Sequence, residues 1–149
     1  MVPDSSCTLR GYRFLEHMTD AEVEAYGKTL DEAFESAGRA VEDTMVDIAT
    51  IKKVTKEEIT LEAKDNESLL YSWLEALINK QDIDGMLYSD FECRISRIDA
   101  GYRLVAKLSG EKFDSKRHEA KTAIKSPTYH GMKILERPNE VTVRFLLDL

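Results

Sequence analysis

The chain of 149 residues is the size of one ordinary domain, long enough to bury a core without a disulfide or a structural metal. Its 28 acidic and 21 basic residues leave a formal charge of −7, which argues against free-standing, non-specific binding to nucleic acid. The two cysteines, Cys7 and Cys93, have no metal-binding or redox spacing, and no apolar run approaches the roughly 18 residues of a membrane span.

The beginning of the chain is polar and contains no apolar segment of the kind found in secretory signals. We therefore predict a cytoplasmic protein with a flexible tail at residues 1–10 and a single domain at residues 11–149. Two strands, residues 12–17 and 21–26, are predicted around a short turn. The second strand alternates small apolar with polar residues, which is typical of a strand with one buried face.

Capping residues predict the first helix. The hydroxyl of Thr29 can accept the amide of Glu32, and the Glu32 carboxylate can reach back to the preceding backbone, as in a capping box. Apolar residues then recur at helical spacing from Leu30 to Met45. A strand is predicted beyond them at residues 59–63.

The second helix is predicted to begin near Asp65 or Asn66 and to end before Gly85. It has one apolar side on which Trp73 is the largest residue, so we expect the indole to be buried in the core. The acids just before Gly85 lack the spacing of a calcium-binding loop and indicate the end of a helix instead.

Beyond Gly85 the apolar period changes from helical spacing to strict alternation. The strands predicted there are residues 91–95, 102–108, 120–125, 132–135 and 141–147. Residues 111–119 are predicted to be a loop. Two helices separated by one strand and followed by strands in series do not form the alternation of a parallel sheet. We therefore predict an α+β fold in which two helices pack on mostly antiparallel β-sheet.

The three histidines, His17, His118 and His130, accompany none of the motifs of serine hydrolases, nucleotide-binding enzymes or zinc proteases. Serines and acids are plentiful, so spacing alone does not support any catalytic grouping. We therefore predict that the protein is not an enzyme.

The carboxyl end of the chain is apolar enough to be held inside a sheet. In the alternation of the last strand Leu149 shares a face with Leu147, while Asp148 points to the opposite face. Asp20 is predicted at the tip of the first hairpin. Asp20, Asp148 and the terminal carboxylate of Leu149 offer oxygen ligands suited to Ca²⁺ or Mg²⁺, although solvated acids at a turn and a chain end have the same pattern.

Residues 111–133 depart from the acidic composition. They contain six bases and three acids, a formal charge of +3, which leaves −10 on the rest of the chain. Lys125, His118 and His130 lie in this segment. Two interpretations remain open: a solvated loop, or a patch that faces phosphate or acidic groups.

Three ordered blocks of this sequence resemble the archease family. They are His17-Met18-Thr19-Asp20 with residues 23–34, Lys125 with Thr128-Tyr129-His130, and the ending at residues 143–149. The resemblance extends from about Gly11 to the last residue. The family's usual His-Thr-Ala-Asp is here His17-Met18-Thr19-Asp20, and its usual Lys-Ala-Val-Thr-Tyr is here Lys125-Ser126-Pro127-Thr128-Tyr129.

The resemblance implies an accessory protein of the RNA ligase that seals tRNA exon halves, which speeds guanylylation of the ligase and allows multiple turnover. It also implies a calcium-type site formed by Asp20, Asp148 and Leu149, with Lys125 important for activation. We expect His17 and His130 to face the partner, and we expect neither stable nucleic-acid binding nor membrane association. Two alternatives stay open: a chaperone-like modulator of a tRNA methyltransferase, and a metal-dependent enzyme.

Overall fold

The computed structural model describes residues 10–15 and 20–149, within which the chain forms two α-helices, one turn of 3-10 helix and seven strands. In chain order the elements are β1 (Gly11–Leu15), β2 (Asp20–Gly27), α1 (Leu30–Met45), the 3-10 turn (Ile48–Thr50), β3 (Thr55–Ala63), α2 (Asn66–Asp84), β4 (Met86–Ile98), β5 (Gly101–Lys112), β6 (Ser126–Arg137) and β7 (Glu140–Asp148). The fold is therefore α+β, as predicted.

The strands form two antiparallel sheets. One has the order β1-β2-β7-β6 and the other has the order β3-β5-β4. Helix α1 contacts β2 and β4, and α2 contacts β6 and β3, so each helix packs against both sheets. This arrangement places a single apolar core around the helix pair, and it places the first and last long strands next to each other at the centre of one sheet.

Trp73 connects the two helices at the centre of the core. Its side chain is fully buried, and its indole N–H donates to the backbone carbonyl of Phe34 over 2.9 Å. Its ring also meets Phe91 edge to face, with centroids 5.9 Å apart. A buried indole N–H needs a hydrogen-bond acceptor, and the Phe34 carbonyl supplies it for Trp73. The prediction that Trp73 lies in the core is confirmed.

Acidic side chains of α1 cover the outer edge of β4, which within the described residues pairs with β5 on its other side. Three carboxyl groups each accept a backbone amide of this strand: Asp31 from Ile95 at 3.0 Å, Glu35 from Cys93 at 2.9 Å, and Glu42 from Tyr88 at 3.2 Å. Burial raises the pKa of all three carboxyl groups. The sequence pattern did not predict this, because acids on an amphipathic helix normally face water.

One local prediction is wrong, and two others differ from the structure in their bounds. Residues 120–125 do not form a strand, because their backbone groups bond the ends of other elements: the Lys121 amide donates to the Met45 carbonyl over 2.8 Å. The predicted loop at residues 111–119 begins later, since β5 continues to Lys112. The strand predicted at residues 132–135 exists but is only the second half of β6.

Some predictions concern residues outside the described part of the chain. The predicted tail lies there except for Arg10, whose guanidinium forms an ion pair with Glu32 at 2.8 Å. The end of the first predicted strand and His17 lie there as well. None of the helices in the described ranges is long and apolar enough to cross a membrane.

Candidate functional site

Two aspartates meet across the central strand pair of the four-stranded sheet. The antiparallel register of β2 and β7 places Asp20 directly opposite Asp148. Side chains at directly opposite positions project from the same face, with Cβ atoms typically about 4.5–5.5 Å apart. Asp148 is exposed and Asp20 is half-buried. The fold therefore brings together two predicted ligands from opposite ends of the sequence.

The terminal residue continues the alternation of β7. Leu149 is half-buried and packs against the hydrophobic core, on the same side as the fully buried Phe145 and Leu147. Its apolar side chain therefore holds the chain end against the domain.

Lys125 lies next to this chain end. Its backbone amide donates to the carbonyl of Asp148 over 2.8 Å, and the following residue, Ser126, pairs with Asp148 in the β6–β7 ladder. Ile124 is buried and anchors the segment from the other side, while the Lys125 side chain is exposed. The lysine backbone is thus fixed, and its ammonium group can reach solvent or a partner.

His130 lies on an irregular part of β6. The β6–β7 register shifts between Thr128 and Lys133, so residues 129–132 span an interval that a single residue spans on β7. Gly131 has a φ of 71°, a left-handed conformation that favours glycine. The His130 amide donates to the Thr128 hydroxyl oxygen over 3.1 Å, and its side chain is exposed. The bulge therefore presents His130 on the surface.

An open cleft of about 590 Å³ lies between the two aspartates and His130. Its walls include Asp20, Asp148, His130 and the stacked rings of Tyr71 and Tyr129, whose centroids are 4.3 Å apart with 7° between the ring planes. Lys125 lies beside the cleft and is not part of its wall. The sequence-based search missed Tyr71 as a site residue, because it comes from α2, and only the three-dimensional fold brings that helix to β6.

The ligand atoms offered by the site are carboxylate oxygens. Within the described ranges no three His, Cys, Asp or Glu side chains cluster closely enough to hold a metal ion. The third member of the predicted set is the terminal carboxylate of Leu149, which is not a side chain. Oxygen donors without nitrogen or sulfur suit Ca²⁺ or Mg²⁺ better than Zn²⁺. The residues present therefore fit a hard cation, but they supply fewer than the roughly 6–8 oxygens that Ca²⁺ prefers.

Part of the basic segment at residues 111–133 is used inside the protein. Arg117 and His118 both bond the carboxylate of Glu111, the His118 Nε2 at 2.8 Å. The Asp114 amide donates to His118 Nδ1 over 2.8 Å, so the neutral ring carries its proton on Nε2 and donates it to Glu111. The hydrogen bond from Arg117 is the largest of the effects that lower the pKa of Glu111 to about 2.

These bonds correct the interpretation of the whole segment as a phosphate-facing patch. The lysines of the segment that are exposed and form no ion pair within the described residues are Lys112, Lys116, Lys125 and Lys133. Among them, Lys125 is the one whose backbone bonds the chain end that carries the two C-terminal acidic groups.

The fold and the site together define a class of small α+β proteins in which a helix pair packs on two antiparallel sheets and the last strand ends in the candidate site. Residues 12–149 match the model of the Archease protein family. The chain is 42% identical over 131 residues to protein archease of Pyrococcus furiosus, covering 88% of this chain and 92% of that protein. It is 37% identical over 141 residues to protein archease of Sulfurisphaera tokodaii, covering 95% of this chain and all of that protein.

Two solved structures are similar in fold. The solution structure of Methanobacterium thermoautotrophicum protein 1598 superposes with a TM-score of 0.82 at 32% identity, over 93% of this chain and 99% of that one. The crystal structure of an archease from Thermotoga maritima, described as a possible chaperone, gives 0.60 at 20% identity, over 91% and 94% of the chains. The chain belongs to the archease family.

Proposed function

We propose that this chain is a cytoplasmic, metal-binding accessory protein of the RNA ligase that seals tRNA exon halves, and that it promotes guanylylation and multiple turnover of that ligase. The observation that carries the proposal is the convergence of Asp20, Asp148 and Lys125 at one end of one sheet. These three residues are distant in sequence, but they lie close together at the surface, where they can act on a partner. Membership of the archease family supports the choice of partner.

In this proposal calcium, or another divalent cation, binds Asp20, Asp148 and the terminal carboxylate of Leu149. Like charges at directly opposite positions of a sheet repel, and a divalent cation between them would offset that repulsion. When bound, the ion supplies a concentrated positive charge that attracts phosphate and carboxylate oxygens. Because three acidic groups leave coordination positions for water or for a partner, the affinity for the ion alone is expected to be modest.

Lys125 acts in the proposal as a positive point charge and not as a nucleophile. Its backbone is fixed by Asp148, and its exposed ammonium can approach a phosphate or a carboxylate at the entrance to the ligase active site. His130, presented by the bulge of β6, faces the same partner. His17 has the same proposed role and lies outside the described residues. The chain itself performs no catalytic step.

The overall charge supports an enzyme partner in preference to free RNA. A body with a formal charge of −7 repels the phosphate backbone of nucleic acid. The cation and Lys125 would instead provide local positive charge within an acidic surface. Electrostatic stabilisation of this kind changes rates by about 10²–10³ when the group is well placed.

The test is a multiple-turnover ligation assay with the ligase far below its RNA substrate. Lys125→Ala and Asp148→Ala should fold normally and lose most of the stimulation, with the first turnover affected less than later ones. Lys56→Ala is the matched control, because it removes the same charge from an exposed position on the other sheet. Stimulation by both site variants at the level of the unmodified protein would show that this mechanism is wrong.

A different outcome would favour the alternative function. If the unmodified protein binds its cognate ligase but fails to stimulate it, or does not bind it, the modulator of a tRNA methyltransferase becomes the better proposal. Binding and activity measurements with that methyltransferase, in the presence and absence of this chain, would then decide the question.

A further inference from the structure

The part of β6 that carries His130 has left the sheet ladder, so strand pairing does not hold it. Pairing with β7 stops after Thr128 and resumes at Lys133. Gly131, in the middle, has a left-handed backbone, and the nearest atom that a Cβ there would meet is a methyl carbon of Leu146, 4.0 Å away. A segment with few ladder bonds and loose packing opens easily unless side chains fix it.

One end of this segment is held by Met132, which is half-buried and packs against the hydrophobic core. Two further side-chain contacts act on the other end, which carries His130. Within the bulge, the Thr128 hydroxyl oxygen accepts the His130 amide over 3.1 Å. From outside, Tyr71 of α2 stacks its ring on Tyr129, nearly parallel and with centroids 4.3 Å apart. Tyr129 is 53% exposed, so the core does not enclose it, and the stack links its ring to the helix.

Tyr71 has a rigid base. Its neighbours Leu70, Trp73 and Leu74 are fully buried, and Trp73 is bonded to α1 through its indole N–H. A ring attached to such a helix turn can fix a segment without ladder pairing that contacts it, whereas the exposed Tyr129 cannot fix the helix. The direction of support is therefore from α2 to the bulge.

We propose that Tyr71 is a positioning residue of the site. Through the stack on Tyr129 it holds the bulge, and so it holds His130 at the cleft that Asp20 and Asp148 line. The claim that Tyr71 holds the bulge does not depend on the proposed function. The expected effect of Tyr71 on activity does rest on the proposed function. Loss of the Tyr71 ring therefore has two effects that can be measured separately.

The first measurement is hydrogen exchange of a peptide that covers residues 126–134. In Tyr71→Leu this peptide should exchange roughly twofold to tenfold faster, which is the change in an opening equilibrium that one stacked aromatic pair can produce. Trp73 fluorescence should stay at its original value. Tyr71→Phe keeps the ring and should exchange like the unmodified protein. Unchanged exchange in Tyr71→Leu would overturn the proposal.

Two further variants keep the measurement interpretable. Tyr129→Leu removes the same stack from its exposed side and should give the same faster exchange even if Tyr71→Leu folds poorly. Leu135→Ala is the matched control, since it truncates an exposed apolar side chain on β6 beyond the bulge and should leave the exchange unaltered. Normal exchange in Tyr129→Leu would also overturn the proposal.

The second measurement is stimulation of the ligase. Tyr71→Leu should reduce it several-fold, Tyr71→Phe should restore it, and Leu135→Ala should not change it. Faster exchange with full stimulation would overturn the positioning role, because the bulge would then be ordered by Tyr71 without effect on activity. If the unmodified protein does not stimulate the ligase, the proposed function fails, while hydrogen exchange still decides whether Tyr71 holds the bulge.

Discussion

Asp20 on β2 lies directly opposite Asp148 on β7, so the first and the last acidic residues of the described domain share one face of the central strand pair. Two adjacent carboxylates at the end of a sheet are unfavourable for stability unless a positive charge lies nearby.

Asp148→Asn should weaken stabilisation of the protein by divalent cations. Without a divalent cation the variant should be about as stable as the unmodified protein, within about 0.5 kcal/mol, because a single exposed charge contributes little to stability. With millimolar Ca²⁺ the unmodified protein should become the more stable of the two, because it gains binding energy that the variant lacks. Thermal unfolding with EDTA and with Ca²⁺ measures both effects. A Ca²⁺-induced shift equal in the two proteins would exclude Asp148 as a ligand.

A peptide tag added after Leu149 should weaken Ca²⁺ binding. The terminal carboxylate becomes an uncharged amide, so the ion loses one negative ligand and the chain end is no longer free. Isothermal calorimetry compares this protein with one that carries the same tag at its amino end. Equal affinities would exclude the terminal carboxylate from the coordination sphere.

Trp73→Ala should destabilise the domain by about 3–5 kcal/mol, because it empties a fully buried site and leaves the Phe34 carbonyl without the indole donor. Trp73→Phe should lose less, since an aromatic ring is kept against Phe91. Urea unfolding gives both values. An alanine variant with an unchanged midpoint would contradict the central position of the indole.

Glu42→Gln should change how stability depends on pH. Glu42 is fully buried, one of its carboxylate oxygens has no hydrogen-bond partner within the described residues, and burial raises its pKa well above the usual 4.5. Below pH 4.5 both the folded and the unfolded protein carry the proton, so burial causes no ionisation penalty. As the pH rises above 4.5 the unfolded chain ionises first, and the folded state loses about 1.4 kcal/mol per pH unit until its own pKa is reached.

The glutamine variant cannot ionise, so its stability relative to the unmodified protein should increase between pH 4.5 and neutrality. Denaturant unfolding of both proteins at several pH values gives the difference directly, and contributions from other titrating groups cancel in it. A difference that stays constant with pH would mean that the Glu42 carboxyl group has an ordinary pKa in the folded protein.

The ends of the two helices could be predicted because the capping residues lie within a few positions of each end. The first helix begins where the capping residues place it: the Glu32 amide donates to the Thr29 hydroxyl over 3.2 Å, and the Glu32 carboxylate accepts the Lys28 amide over 2.9 Å. The second helix ends at Gly85, whose φ of 67° is the left-handed cap that glycine favours. Both signals depend on neighbouring residues, so they can be seen without knowing the fold.

The candidate site was predictable only in part. The acids Asp20 and Asp148 and the position of Lys125 followed from the family resemblance and the alternation of the last strand. The family resemblance also implied that the two acids meet, but the local sequence pattern could not, because their meeting depends on β2 pairing with β7, and strand partners distant in sequence leave no local signal. The bulge of β6 and its support by Tyr71 depend in the same way on a register shift and on the packing of α2.

The sequence by itself determined the fold class, the start of α1, the end of α2 and the faces on which the last strand presents Asp148 and Leu149. Those features arise from hydrogen bonds and side-chain periodicity within a few residues. Only the tertiary structure decided which strands are neighbours and which acids of α1 are buried against β4. Strand pairing and the burial of these acids depend on contacts between elements that are distant in sequence. Such contacts form only when the whole core packs.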